Sequence, residues 1–149
     1  MYLKDKLDIT DPCYDKDVWC RITVPCLEGE YTCHYDTVEI EDWGKRVKSI
    51  WIKHEDFQNA DDWEFVGTIG VDAGLAGFFD DKPDFDDKEW EELCDEIFDK
   101  NVIETKFEGR DAFFTQSGIG DGVYDVYVIR KEEDVVAAKI IFICEEDLC

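Results

Sequence analysis

Basic residues are scarce in this chain of 149 residues, which has 16 Lys and Arg against 39 Asp and Glu and a formal net charge of -23. Such a charge repels nucleic acid and anionic lipid, and direct nucleic-acid binding requires a basic patch. The nearest candidate patch, Lys45, Arg46 and Lys48, is small and is set among acidic residues. The composition therefore argues against direct binding to nucleic acid or to a membrane, and it favours a basic protein surface or a cation as the partner.

Long apolar runs are missing as well. No stretch approaches the ~20 apolar residues that a membrane span needs, and residues 1–6 lack the apolar core of a signal peptide. We therefore expect a cytoplasmic protein with reduced thiols. Aromatic residues, in contrast, are plentiful: the five Trp, six Tyr and ten Phe exclude the disordered acidic class of protein, which contains few of them. The length fits one globular domain, residues 1–149.

The chain also lacks catalytic and zinc-binding signatures. Its two histidines, His34 and His54, belong to no recognisable base–nucleophile motif. The count of seven cysteines is odd, and Cys13, Cys20, Cys26 and Cys33 are too far apart in the sequence to form the close pairs of structural zinc sites, so we predict neither a disulfide nor bound zinc, and we expect buried thiols instead. The sequence therefore predicts no catalytic residue and no cofactor, and it favours a protein that is not an enzyme.

Turn segments carry the polar residues that are candidates for a ligand site. Residues 117–122 form a glycine-rich run that either grips a ligand with exposed amides or makes a tight β-turn, and turn chemistry favours the β-turn. The run lacks the Gly-Lys-Ser/Thr ending of a phosphate loop. Turn carboxylates that converge could also bind Ca²⁺ or Mg²⁺, which prefer oxygen ligands, although the regular calcium-loop spacing is absent. The candidate ligand-binding residues are Asp11, Asp72, Asp80, Thr115, Ser117 and Asp121, and the metal is left unknown.

Alternating polar and apolar residues predict several β-strands, most clearly over residues 47–54. Further strands are predicted over residues 19–24, 30–35, 63–69, 111–115, 123–130 and 135–143, with a short strand ending at Asp11-Pro12 and a buried one after Gly74. Residues 131–134 join the last two strands in an antiparallel hairpin. The predicted fold class is α+β: a mostly antiparallel β-sheet or sandwich with one substantial amphipathic helix.

That helix is predicted within residues 80–100, which contain eleven acidic residues and only three basic ones, Lys82, Lys88 and Lys100. Apolar residues recur there at helical spacing and predict a stripe that packs on the sheet. The stripe consists of Trp90, Leu93, Cys94, Ile97 and Phe98. The opposite face carries carboxylates that repeat about once per turn of ~5.4 Å. These predicted partner-binding residues are Glu91, Glu92, Asp95, Glu96 and Asp99.

Short motifs in a fixed order run along almost the whole chain. They include Asp-Pro-Cys-Tyr at residues 11–14, Val-Asp-Ala-Gly at residues 71–74 and Gly-Asp-Gly-Val-Tyr at residues 120–124. In this order the chain resembles an uncharacterised family of bacterial and phage proteins, a domain of unknown function. The resemblance implies a β-rich fold in which the shared polar positions, Asp11, Asp72, Asp80, Thr115 and Asp121, converge. It implies no activity, and the acidic helix is not part of it.

From these patterns we predict a non-enzymatic intracellular acidic binding protein that engages a basic protein surface. A row of helix carboxylates can imitate the phosphates of DNA and compete for the groove of a nucleic-acid-binding protein, as a phage-encoded inhibitor of a host enzyme would. Two simpler explanations of the charge are a solvated surface and adaptation to high salt. The alternative function is a β domain that binds a small ligand or a divalent metal through its turn aspartates, and a hydrolase using the same carboxylates is a third.

Overall fold

Two antiparallel β-sheets that pack against each other contain most of the residues that the structure describes. The structure is a computed structural model, and it describes residues 1–13, 21–42, 44–72, 74–82, 88–89, 91–92, 95, 102–107 and 109–144. Eleven strands and one short 3-10 helix, Glu55–Phe57, are formed by these residues. Every pairing between neighbouring strands is antiparallel.

The first sheet has six strands: β1 (Tyr2–Leu3), β4 (Gly29–Ile40), β5 (Gly44–His54), β6 (Glu64–Val71), β10 (Gly122–Lys131) and β11 (Asp134–Ile141). Their order across the sheet is β1-β4-β5-β11-β10-β6. The second sheet has five strands: β2 (Lys6–Thr10), β3 (Ile22–Pro25), β7 (Leu75–Asp80), β8 (Val102–Phe107) and β9 (Arg110–Gln116). Their order is β3-β2-β7-β9-β8.

The core lies between the two sheets and is filled by alternate residues of their strands. On β5, Ile50 and Ile52 are fully buried, whereas their neighbours Trp51 and Lys53 are only partly covered. Successive side chains of a strand point to opposite faces of a sheet. One continuous apolar cluster therefore joins residues of both sheets, among them Leu7, Ile9, Ile50, Ile52, Phe78, Val126, Val128 and Ile140.

Most of the predicted strands are confirmed, with shifted ends. The strand predicted over residues 47–54 is β5, and the predicted hairpin is β10 and β11, which pair up to Lys131 and Asp134 at the turn. The strands at residues 30–35, 63–69 and 111–115 correspond to β4, β6 and β9. β1 and β8 were not predicted. β3 and β4 follow each other in the chain but lie in different sheets.

The prediction of a substantial amphipathic helix is wrong, because the described chain is nearly all antiparallel sheet and contains no helix of seven or more residues. Within residues 80–100, helical turns are described at residues 88–89, 91–92 and 95. The acidic sequence gives a physical reason for a short helix. Like charges four residues apart, such as Glu91 and Asp95, destabilise a helix, and Asp is a poor helix former. The predicted apolar stripe lies outside the described residues.

None of the helical segments in the described ranges has the length and the apolar composition needed to cross a membrane.

Candidate functional site

The turn after β2 is held by the carboxylate of Asp11, which is fully buried. Its Oδ1 accepts a hydrogen bond from the backbone N–H of Cys13 at 2.9 Å. Its Oδ2 accepts one from the backbone N–H of Asp72 at 2.8 Å, which ties the end of β2 to the end of β6. Both oxygens therefore satisfy backbone donors, as is usual for a buried carboxylate that closes a turn.

The glycine-rich loop at residues 117–122 closes on itself and on the start of β7. The Ser117 hydroxyl donates to the carbonyl oxygen of Gly120 at 2.7 Å, and the Ser117 N–H donates to the carbonyl oxygen of Gly74 at 3.0 Å. The Tyr124 hydroxyl lies within hydrogen-bonding distance of the carbonyl oxygens of Ser117 and Gly120. The Gly120 N–H donates to the carbonyl oxygen of Ser117 at 3.1 Å, which is the hydrogen bond of a β-turn, so the structure matches the β-turn interpretation of this run.

The predicted ligand residues divide into a group at one end of β7 and one residue at the other end. Asp11, Asp72 and Ser117 are linked through the backbone around Gly74, and the Asp121 carboxylate approaches the same glycine. Thr115 is fully buried beside them, and its hydroxyl donates to the carbonyl oxygen of Gln116 at 3.0 Å.

Asp80 does not join this group, because it ends the six-residue strand β7 that begins just after Gly74. At ~3.4 Å per residue the two ends of the strand are roughly 17 Å apart. The buried Asp80 carboxylate accepts a hydrogen bond from the backbone N–H of Lys4 at 3.2 Å, and burial raises its pKa. Asp80 therefore lies apart from the other positions that the family resemblance groups with it.

This turn cluster has the properties of a structural joint. Asp11 and Thr115 are buried and bonded to backbone groups, whereas Asp72 and Asp121 are exposed. Burial and the neighbouring Asp11 carboxylate raise the pKa of the Cys13 thiol to about 12, so this thiol is not an activated nucleophile. In the part of the chain that the structure describes, no three His, Cys, Asp or Glu side chains are arranged to hold a metal ion.

The predicted acidic site is described only in part. Glu91, Glu92 and Asp95 are in helical conformation and are exposed to solvent. Glu96 and Asp99 lie outside the described residues. Acidic side chains are also exposed at many other places, including the 3-10 helix with Glu55 and Asp56. The exposed acidic surface therefore extends well beyond the segment that the sequence pattern singled out.

Several cations are held by ion pairs within the fold, and this was not predicted from the sequence. The Arg21 side chain is almost completely buried, and its Nη2 lies 2.8 Å from Oδ1 of Asp8. The other Asp8 oxygen, Oδ2, accepts a hydrogen bond from the backbone N–H of Lys82 at 2.7 Å. The sequence of β2 gives little indication of this ion pair, because a buried Asp cannot be distinguished from an exposed one until its partners are known.

Comparisons with family models, with curated proteins and with solved structures found no match for this chain. The family resemblance and the function expected from the charge therefore remain predictions from the sequence.

Proposed function

We propose that this protein is a non-enzymatic binding protein that uses its acidic surface to engage a basic surface on another protein. One observation carries the proposal. Among the described residues, twenty Asp and Glu side chains are exposed, against seven exposed Lys and Arg side chains. The seven are Lys4, Lys6, Lys45, Lys88, Lys106, Arg130 and Lys131.

Ion pairs within the fold already engage several of the few cations. Lys106 pairs with Asp111, and Arg130 pairs with Glu64 at 2.9 Å, so two of the exposed cations are already neutralised. Arg21 and Arg110 are likewise paired, with Asp8 and Asp81. Across the whole chain, 39 acidic and 16 basic residues leave at least 23 carboxylates without a basic side chain of their own. A surface of this kind attracts a basic partner and increases its association rate, by roughly 10- to 10³-fold at low salt.

The partner class that best matches this surface is a nucleic-acid-binding protein. Such proteins present rows of Lys and Arg that neutralise phosphates, so a surface rich in carboxylates competes for the same groove. The exposed helical acids Glu91, Glu92 and Asp95 support this view, because side chains three and four residues apart lie on the same helix face. An inhibitor that imitates DNA, including one of the phage counter-defence type, would act in this way.

The turn aspartates support a ligand-binding function less well. Of the three that would form such a site, Asp11 directs both carboxylate oxygens to backbone donors, which leaves the exposed Asp72 and Asp121. Two exposed carboxylates supply only part of the 6–8 oxygen ligands that Ca²⁺ takes, and the rest would have to come from backbone carbonyl groups or water.

A pull-down from the native cell type tests the proposal when it is combined with matched charge reversals. The first variant changes Glu91, Glu92 and Asp95 to Lys together. The control variant changes three other exposed acids, Glu55, Asp56 and Asp62, to Lys, so both variants raise the net charge by 6, from -23 to -17. We expect the first variant to lose the partner and the control to retain most of the binding, because the helical acids occupy the interface.

Salt provides a second criterion. Binding should weaken steeply between low and high NaCl concentration, because the screening length falls to roughly 8 Å at physiological ionic strength. Competition with duplex DNA for the captured protein would identify it as a nucleic-acid-binding protein. Capture that is insensitive to salt and to both reversals would disprove the proposal, and loss of capture on changing Asp72 and Asp121 to Asn would move the site to the turn cluster.

A further inference from the structure

A cavity of about 370 Å³ opens on the outer face of the first sheet, away from the core. Its floor consists of outward-pointing residues of neighbouring strands. Trp51 of β5 is paired with His34 of β4 on one side and with Lys139 of β11 on the other. The rings of His34 and Trp51 are stacked, with centroids 5.4 Å apart and planes 16° apart. Trp63, from the loop before β6, forms one wall of the cavity.

Two ammonium groups converge in this cavity. Lys139 Nζ lies 4.2 Å from the centroid of the Trp63 ring, and Lys53 Nζ lies 5.8 Å from it. Lys53 is fixed in place, because its ammonium donates to the carbonyl oxygens of Ala60 at 2.9 Å and Gln58 at 3.3 Å. Lys139 differs from it: within the described ranges its ammonium makes no hydrogen bond and no ion pair, and its contact is with the Trp63 ring.

The lysines are less solvated than the acids around them. Lys53 and Lys139 are half-buried, whereas the lining acids Asp36 and Asp61 are exposed and form no ion pair with any lysine that the structure describes. Burial and the neighbouring Lys53 charge lower the pKa of Lys139, and Asp61 offsets this only in part. The same two causes lower the pKa of His34. A partly desolvated cation beside a like charge is stabilised by an anion more than an exposed cation is.

We propose that this cavity, named here the Trp51–Lys139 pocket, binds a small planar anion of the aromatic carboxylate class. The carboxylate would accept hydrogen bonds from Lys139 and lie near Lys53, and the ring would lie against the indole of Trp51. The cavity volume falls within the roughly 300–1,000 Å³ of small-ligand sites. Lys donors form strong charge-assisted hydrogen bonds with carboxylates, and offset stacking on an aromatic ring favours a planar ligand.

The two acids that line this pocket, Asp36 and Asp61, are not among those changed in the charge-reversal variants. The pocket brings two cations together in a chain with a net charge of -23, which has 39 acidic residues against 16 basic ones. The long-range field of the protein opposes an approaching anion, so affinity must come from short-range contacts in the pocket. A basic protein partner would be repelled from the same lysines, and the two proposals can fail separately.

Titration of the ¹⁵N-labelled protein with benzoate tests the pocket through its tryptophan signals. The chain has five Trp and therefore five indole N–H resonances. We expect benzoate to shift the signals of Trp51 and Trp63, assigned from the Trp51→Phe and Trp63→Phe spectra. Benzamide, which is planar and neutral, and cyclohexanecarboxylate, which is anionic and not planar, should each shift them much less at equal concentration.

A matched pair of lysine variants completes the test. Lys139→Met removes the ammonium and keeps an unbranched side chain that is one atom shorter, and we expect it to weaken benzoate binding about tenfold, the effect of one charge-assisted hydrogen bond. Lys131→Met removes the same charge from an exposed position at the β10–β11 turn and should change binding less than about twofold. Equal effects of the two variants, equal shifts by benzoate and benzamide, or no shift at Trp51 would each disprove the proposal.

Discussion

Gly77 lies in the middle of β7, where a neighbouring strand comes too close for any side chain. A Cβ at this position would overlap the carbonyl oxygen of Phe113 and the backbone of Phe114 on β9. The obstruction is backbone, so it cannot move aside as the end of a flexible side chain can. The requirement for glycine here is therefore one of space between paired strands.

We expect Gly77→Ala to lower the free energy of unfolding by about 1–3 kcal/mol or more, because even one added methyl forces packed strands apart. Urea unfolding at pH 7 measures the change. Gly122→Ala is the matched control: it is also the replacement of a strand glycine, and the nearest atom to its added Cβ is the Tyr124 Oη at 3.4 Å. Equal unfolding midpoints for the two variants would contradict this account of β7.

The described cysteines differ in how readily they should react. Burial raises the pKa of Cys13 and Cys26 to about 12 and that of Cys33 to about 11. Because only the thiolate is a nucleophile, these three thiols are almost fully protonated at pH 8. Cys144 is exposed.

We therefore expect iodoacetamide at pH 8 to modify Cys144 first and Cys26 last among these four, as measured by peptide mass spectrometry over time. In 8 M urea, where burial is lost, their rates should converge. Modification of Cys26 in the folded protein as fast as that of Cys144 would show that the β2–β3 edge opens readily. The same experiment counts thiols, and a count below seven in a sample kept from oxidation would reveal a disulfide.

At the scale of elements, the joint between β2 and β6 depends on one carboxylate. Replacing Asp11 with Ala removes the acceptor for the N–H groups of Cys13 and Asp72, and we expect a loss of about 1–3 kcal/mol per buried donor left unsatisfied. Asp11→Asn keeps one acceptor oxygen and should lose about half as much. Thermal unfolding gives the stabilities, and amide hydrogen exchange at Asp72 reports the joint directly.

Asp72→Asn is the control for this series, because the Asp72 side chain is exposed and only its backbone N–H takes part in the joint. We expect its stability to stay within about 0.5 kcal/mol of the original protein, as is usual for a surface substitution. A large loss on Asp72→Asn, with none on Asp11→Ala, would show that the side chain of Asp72 and not that of Asp11 secures the turn.

Local sequence patterns predicted where the strands lie far better than they predicted which strands pair with each other. β5 has an alternating sequence and the β10–β11 hairpin has a short polar turn, so both could be predicted from neighbouring residues. β8 could not, because its sequence Val-Ile-Glu-Thr-Lys-Phe alternates poorly and it lies at the edge of its sheet. Nor could the assignment of β3 and β4 to different sheets be predicted, since it depends on pairings with strands far along the chain.

For the candidate site, too, the sequence indicated the turn residues but not the contacts between them. The glycines and aspartates of the turns marked where the chain bends, but the bond from Asp72 to Asp11 joins residues 61 positions apart. The helix prediction failed for a related reason. Apolar residues at helical spacing show which face a helix would bury, but they do not show whether the helix is stable, and repulsion among the acidic residues destabilises it. The pocket at Trp51 and Lys139 has no local signal at all, because it combines residues of three strands and a loop.

At the scale of the whole molecule, the net charge of -23 is a source of instability, because like charges repel in the compact state. We expect NaCl to raise the melting temperature by several degrees between low salt and 0.5 M, since the screening length shortens with ionic strength. The variant with Lys at residues 91, 92 and 95, whose charge is -17, should melt higher at low salt and respond less to NaCl. A melting temperature independent of salt in both proteins would contradict this.

The position of β11 in the first sheet has a consequence for how the protein forms in the cell. β11 lies between β5 and β10, so the centre of that sheet is supplied by residues 134–141, among the last described strands to leave the ribosome. Until then, the apolar edge of β5 with Ile50 and Ile52 has no partner on that side. Unpaired strand edges invite aggregation in a nascent chain. Neighbouring nascent chains, each rich in carboxylates, would repel one another, and this repulsion would limit aggregation until β11 is synthesised.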